Sequence, residues 1–126
     1  MPREIVDTPS APGGGSSQVH SQAVKAGGLV FVSGQAPIDP TTGEMVSGTI
    51  EEQTRQCLTN VQAILHAAGS SMDKVVQATF ILRDADDFAG MNVEWVRWFP
   101  SHPPARQGAR MPVDFVPVSF AVIAEA

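Results

Sequence analysis

Thr49-Ile50-Glu51-Glu52-Gln53-Thr54-Arg55-Gln56-Cys57-Leu58-Thr59-Asn60-Val61-Gln62-Ala63-Ile64-Leu65-His66-Ala67-Ala68-Gly69 carries the signals of one complete amphipathic helix. Thr49 and Glu52 have the spacing of a capping box, in which each side chain satisfies a free backbone amide of the first turn. Ile50, Cys57, Leu58, Val61, Ile64, Leu65 and Ala68 recur at three- and four-residue steps and make one face apolar. Gly69 falls just past the end, where a left-handed backbone is easiest for glycine. Cys57 lies on the apolar stripe and reads as a small core residue rather than a reactive thiol.

That stripe needs a surface to cover, and the flanking sequence supplies strands. Upstream, Val19 to Val24 and Leu29 to Ser33 read as two strands, separated by a turn at Lys25-Ala26-Gly27-Gly28. Leu29-Val30-Phe31-Val32 is apolar throughout, as expected for a strand covered on both faces. Pro37, Asp39-Pro40 and Gly43 mark a turn-rich connection into the helix. Downstream, Val75 to Leu82 is β-rich. Asp84 and Asp87 then offer a second helix start, placing negative charge at the positive end of the helix dipole. Phe88, Met91, Trp95, Trp98 and Phe99 give that helix an aromatic side, read as core. Pro100, Pro103 and Pro104 stop it. Strands around Ala105 to Met111 and Val116 to Ala124 follow, and Glu4-Ile5-Val6 offers one more.

The order is ββ-α-β-α-ββ, an α+β domain covering 1–126 with about six strands in a mixed sheet. Two helices cover only one face of such a sheet, so the other needs a partner, and a second copy of the chain is the simplest one. Pro9 to Ser17 is a flexible Gly/Ser/Pro segment. Its three glycines lack the Gly-Lys-Ser/Thr ending that a phosphate loop requires.

Composition narrows the function. The 126 residues carry a formal net charge of −5 without a basic cluster, which argues against nucleic acid as a partner. No apolar run is long enough to span a bilayer. The start lacks a secretory pattern, so the cytoplasm is the expected compartment. One cysteine excludes an internal disulfide and a thiolate metal cluster. The histidines and acidic residues show no metal-ligand spacing, so neither metal nor cofactor is expected.

Val32-Ser33-Gly34-Gln35-Ala36-Pro37, with Asp39-Pro40 and Thr42-Gly43-Glu44 behind it, resembles the signature that follows the central strand of the RidA/YjgF family. Ile50 to Gln56 is similar to the family's first helix, Asp87-Phe88-Ala89 with Asn92 to its second, and Pro104-Ala105-Arg106 to its terminal motif. The resemblance implies a chorismate-mutase-like fold, a homotrimer with clefts between subunits, and hydrolysis of reactive 2-imino acids to 2-oxo acids and ammonia. It gives Arg106 the task of gripping the substrate carboxylate. A guanidinium suits that task, being planar, permanently charged and matched to a carboxylate by two parallel hydrogen bonds. Ser33, Gly34, Asn92, Gly108 and Phe88 match positions lining the family's cleft.

Two positions depart from the pattern. Many imine-hydrolysing relatives carry Tyr in the segment matching Val19 to Ala23, whereas His20 stands here and the chain has no tyrosine. The same relatives carry Glu in the last strand, where Ser119 aligns. His20 is a candidate proton carrier, since its ordinary pKa near 6.5 lets it exchange protons at neutral pH. His66 and His102 read as structural or solvated. Arg110, four residues beyond Arg106, falls on the same face of a strand and suggests a larger or doubly charged acid. Alternatives to the deaminase are a carboxylate-binding or regulatory trimer without chemistry, and a catabolic deaminase for an aminated dienoic acid. Endoribonuclease activity, also attached to this family, fits the acidic charge poorly.

Overall fold

The computed structural model describes residues 2–13 and 19–126. Chain order is β1 (Glu4–Val6), β2 (Ala23–Ala26), β3 (Leu29–Gln35), α1 (Ile50–Ala67), β4 (Val75–Leu82), α2 (Phe88–Trp98), β5 (Ala105–Arg110) and β6 (Val118–Glu125). The strands form one mixed sheet in the order β1-β2-β3-β6-β4-β5. Only the β4–β5 pair is parallel, because α2 carries the chain back to the start of the sheet before β5 begins. β6 enters between β3 and β4, so the last strand in sequence shares the centre of the sheet with β3.

α1 forms as its sequence dictates. Thr49 Oγ1 accepts from the Glu52 amide while Glu52 accepts from the Thr49 amide, and the capping box is complete. Cys57, Leu58, Val61, Ile64 and Leu65 are buried against the sheet. Gly69 follows the Ala68 cap with φ 82°, a conformation that disfavours any residue with a β-carbon. Burial drives the Cys57 thiol pKa upward, so it stays an inert core thiol.

α2 starts differently from the expectation. A single 3₁₀ turn, Ala85–Asp87, precedes it, and neither Asp84 nor Asp87 makes a side-chain cap bond. Asp84 instead accepts from Arg83 Nε at 3.3 Å. Arg55 joins the two helices: its Nε and Nη2 donate to the two carboxylate oxygens of Glu94, each at 3.2 Å, and Trp98 Nε1 adds a third bond at 2.9 Å.

Three other expectations need correcting. Val19 to Gln22 is not strand; β2 begins at Ala23, and Lys25 and Ala26 belong to it rather than to the turn. β3 shifts register against β6 between Val32 and Gln35, and its ladder with β2 ends at the Ala23–Val32 pair. Within the chain, β3 is covered on one face only: Val30 and Val32 are buried while Phe31 is 41% exposed. β5 and β6 end and begin slightly inside their expected bounds, and Pro117, which has no amide to donate, precedes β6. Of the glycine-rich segment, Pro9 to Gly13 forms turns, and 14–17 lies outside the described residues.

The registers define rows across the sheet. Val6, Ala23, Val32, Val122 and Ala78 are paired in succession, all are buried on the core face, and the row ends on β5 at Arg106. On the opposite face Ile5, Val24, Phe31 and Ile123 make a row that the chain leaves open. No helix among the described residues is long and apolar enough to cross a membrane.

Candidate functional site

Arg106 occupies the end of a core-facing row on an edge strand, where a hydrophobic residue would be the ordinary choice. Three rings enclose its guanidinium. The central carbon lies 4.9 Å from the Phe80 centroid, 5.0 Å from that of Trp95 and 5.9 Å from that of Phe88. Ring faces attract a cation and exclude water beside it. Nη1 donates to Asn92 Oδ1 at 2.8 Å, which fixes the plane of the group. No carboxylate among the described residues pairs with it; the ion pairs there belong to Arg55 and Arg83. Burial lowers its pKa from the ordinary value, though a guanidinium stays charged at neutral pH. The result is an oriented, partly desolvated cation with no counter-charge among the described residues, an arrangement chemically suited to an anion.

Gly108 follows on the same face, paired with Phe80. A β-carbon there would lie 2.1 Å from the Phe80 ring. The missing side chain therefore lets Phe80 lie down against β5, within 5.7 Å of Phe88. Phe88 is 44% exposed, so it belongs to this rim rather than to the core where Met91, Trp95 and Phe99 sit. Arg110 continues the row beyond, paired with Leu82 and exposed.

The remaining predicted residues gather elsewhere. Ser33 Oγ donates to the Ser21 carbonyl at 2.6 Å and Ser33 N donates to the Gln22 carbonyl at 2.9 Å, so Ser33 ties the 21–22 segment to β3. A β-carbon on Gly34 would lie 3.8 Å from Ser119 Oγ, which places these two together. Ser119 pairs with Ile81, in a row on the face away from the helices. His20 is exposed and adjoins Ser21 in sequence. Gln22 locks the start of the chain, with Nε2 donating to the carbonyls of Thr8, Ala11 and Pro12 and Oε1 accepting from the Thr8 amide.

The predicted site therefore divides in two. Arg106, Asn92, Phe88 and Gly108 form one cluster on the helix face of β5. Ser33, Gly34 and Ser119 form another on the open face at the end of β3, and His20 is the neighbour in sequence of Ser21, to which Ser33 is bonded. From β3 to β5 the sheet steps across β6 and β4, on the order of 14 Å at the usual strand spacing. One small ligand does not bridge the two clusters within a single chain. Phe80 and Trp95 complete the first cluster, and sequence reading assigned neither to the site. His66 and His102 are both exposed and lie in neither cluster.

A family model described as Endoribonuclease L-PSP matches residues 10–123. A RutC family protein of Pyrococcus horikoshii is 45% identical over 115 residues, covering 89% of this chain and 90% of the relative. Reactive Intermediate Deaminase A, chloroplastic, of Arabidopsis thaliana is 40% identical over 115 residues, covering 89% of this chain and 60% of that protein. The structure of Escherichia coli TdcF with bound serine superposes with a TM-score of 0.87 at 33% identity, covering 98% of each chain. With the six-stranded mixed sheet, the two helices on one face and matches over nearly the whole length, this chain belongs to the RidA/YjgF family, the one whose model is described as Endoribonuclease L-PSP.

Proposed function

We propose that this protein hydrolyses reactive 2-imino and enamine acids to 2-oxo acids and ammonia, in a site completed between two copies of the chain. The observation that carries the proposal is the Arg106 guanidinium, held by Asn92 over three rings and paired with no carboxylate among the described residues. Two relatives point the same way. One is named as a reactive intermediate deaminase, and the other holds serine, itself a carboxylate-bearing amino acid.

In this scheme Arg106 takes the substrate carboxylate in two parallel hydrogen bonds. Water adds its oxygen to the imine carbon and passes one proton to the imine nitrogen, giving a carbinolamine with one hydroxyl and one amino group. The hydroxyl proton is then transferred to the amino nitrogen as the C–N bond breaks, so ammonia departs and the oxo group is left. Holding the electrophile beside ordered water supplies much of the acceleration. A general acid–base adds roughly 10²–10⁴ more. His20 is the proton carrier assigned here, because no tyrosine exists and Ser119 stands where a glutamate is expected.

The assembly in this proposal is a homotrimer. Ile5, at 51% exposure, and Phe31, at 41%, lie in the open row and call for cover. Packing that face against another copy brings the Ser33–Gly34–Ser119 cluster of one subunit toward the Arg106 cluster of the next, closing the gap that separates them within one chain. A trimer that binds carboxylates without chemistry is the competing reading, favoured by the departures at His20 and Ser119.

The test couples the purified protein to an amino acid oxidase or threonine dehydratase and follows the release of 2-oxo acid. Acceleration that disappears in Arg106→Ala supports the deaminase. Saturable binding of 2-oxo acids without acceleration, across several precursors, leaves only the binding module. No binding of any carboxylate sinks both.

A further inference from the structure

Three successive core-facing rows of the sheet end on β5, at Arg106, Gly108 and Arg110. Phe80 and Phe88, two of the rings that carry Arg106, also line a cavity of about 470 Å³ that reaches Arg110. Leu82 and Ala85 complete an apolar wall, and Gly108 leaves the floor open at its middle. Two further guanidinium groups reach this cavity, and they differ. Arg83 is already engaged, donating from Nη1 to the Asp114 carbonyl at 2.7 Å and pairing with Asp84 at 3.3 Å. The Arg110 side chain makes no ion pair among the described residues, where the ion pairs belong to Arg55 and Arg83.

We infer that this cavity receives the side chain of a 2-imino diacid, with Arg106 on the α-carboxylate and Arg110 on the distal carboxylate. The inference rests on the reading of Arg106 as the carboxylate anchor. The two arginine α-carbons stand four residues apart on one strand, on the order of 13 Å. Their side chains bracket Gly108 and the Phe80 ring, so a chain of methylenes lies over apolar surface while each end meets a cation. A simple alkyl side chain fills part of the cavity and leaves Arg110 in water. An aromatic side chain contacts the rings and offers Arg110 at most a ring face, a weaker partner than a carboxylate. A second anion covers the apolar wall and also gives Arg110 a charge-assisted partner. In a chain of net charge −5, two cations along one edge strand also make a local positive field that draws dianions ahead of monoanions.

The test is titration calorimetry on the full-length protein with 2-oxoglutarate, 2-oxobutanoate and phenylpyruvate as stable probes. 2-Oxoglutarate is expected to bind about tenfold tighter than 2-oxobutanoate at low salt, the scale of one partly exposed charge-assisted contact. Added salt should shrink that ratio, because Arg110 is solvent-screened. Arg110→Gln should abolish the preference, and Arg110→Glu should reverse it. Equal affinities, tighter binding of phenylpyruvate than of 2-oxoglutarate, or a preference that survives Arg110→Gln would overturn the inference. Arg106→Ala separates the two layers of the argument. If 2-oxobutanoate still binds that variant, the anchoring role itself fails. If Arg106 is required but the diacid is not preferred, only the role of Arg110 fails.

Discussion

Arg106 Nη1 donates to Asn92 Oδ1 at 2.8 Å, joining the edge strand β5 to the middle of α2. The bond links an uncompensated cation to a neutral acceptor, so it orients the guanidinium without neutralising it. Asn92→Ala removes the orientation and keeps the charge. We expect 2-oxobutanoate to bind about three- to tenfold more weakly in that variant, the net worth of one ordinary hydrogen bond. Asn92→Asp goes further, since the new carboxylate competes with the ligand for the same cation. It should lose more affinity than Asn92→Ala while melting at a higher temperature. Calorimetry and a thermal melt together check both expectations.

Gly108 and Phe80 are coupled by space. A β-carbon on Gly108 would meet the Phe80 ring at 2.1 Å, and the ring would have to move. Gly108→Ala is expected to weaken carboxylate binding and to cost about 1–3 kcal/mol of stability, the range for overpacking. Gly108→Ala combined with Phe80→Leu should recover stability but not affinity, because the ring also supports Arg106. Denaturant unfolding and ligand titration of the two variants distinguish these effects.

Glu94 makes stability depend on pH. Burial raises its pKa, but the hydrogen bonds from Arg55 and Trp98 outweigh burial and leave it lowered overall. A carboxylate whose folded pKa lies below its unfolded value of about 4.3 stabilises the fold above that pH and loses the contribution as pH falls further. Unfolding midpoints measured from about pH 6 down to about pH 3 should drop less steeply in Glu94→Gln than in the unmodified protein.

Thr54 Oγ1 is buried on α1 with no hydrogen-bond partner among the described residues. Thr54→Val keeps the shape and removes the unsatisfied hydroxyl, so the variant should unfold at higher denaturant, by about 1 kcal/mol. Lower stability in Thr54→Val would mean that the hydroxyl has a partner in the assembled protein.

Local signals made α1 legible in the sequence, since the capping box, the apolar stripe and Gly69 all lie within the helix itself. β4 was legible for the same reason, and its bounds Val75–Leu82 match the reading. Arg106 and Asn92 were found through their motifs, and the structure joins them. Phe80 was missed because its role depends on register: only the Phe80–Gly108 pairing brings its ring across to β5. Trp95 was read as core, which it is, but its position also supports the guanidinium, and helical spacing alone does not reveal that second contact. The division of the site into two clusters follows from β6 entering between β3 and β4, a long-range choice that no local pattern encodes.

A crystal structure of the protein grown with 2-oxobutanoate tests the central claim most directly. The ligand carboxylate is expected in two hydrogen bonds to Arg106, with its oxo group facing Ser33 and Gly34 of the partner subunit. A ligand bound away from Arg106, or an Arg106 side chain turned out to solvent in a chain without such a neighbour, would contradict it.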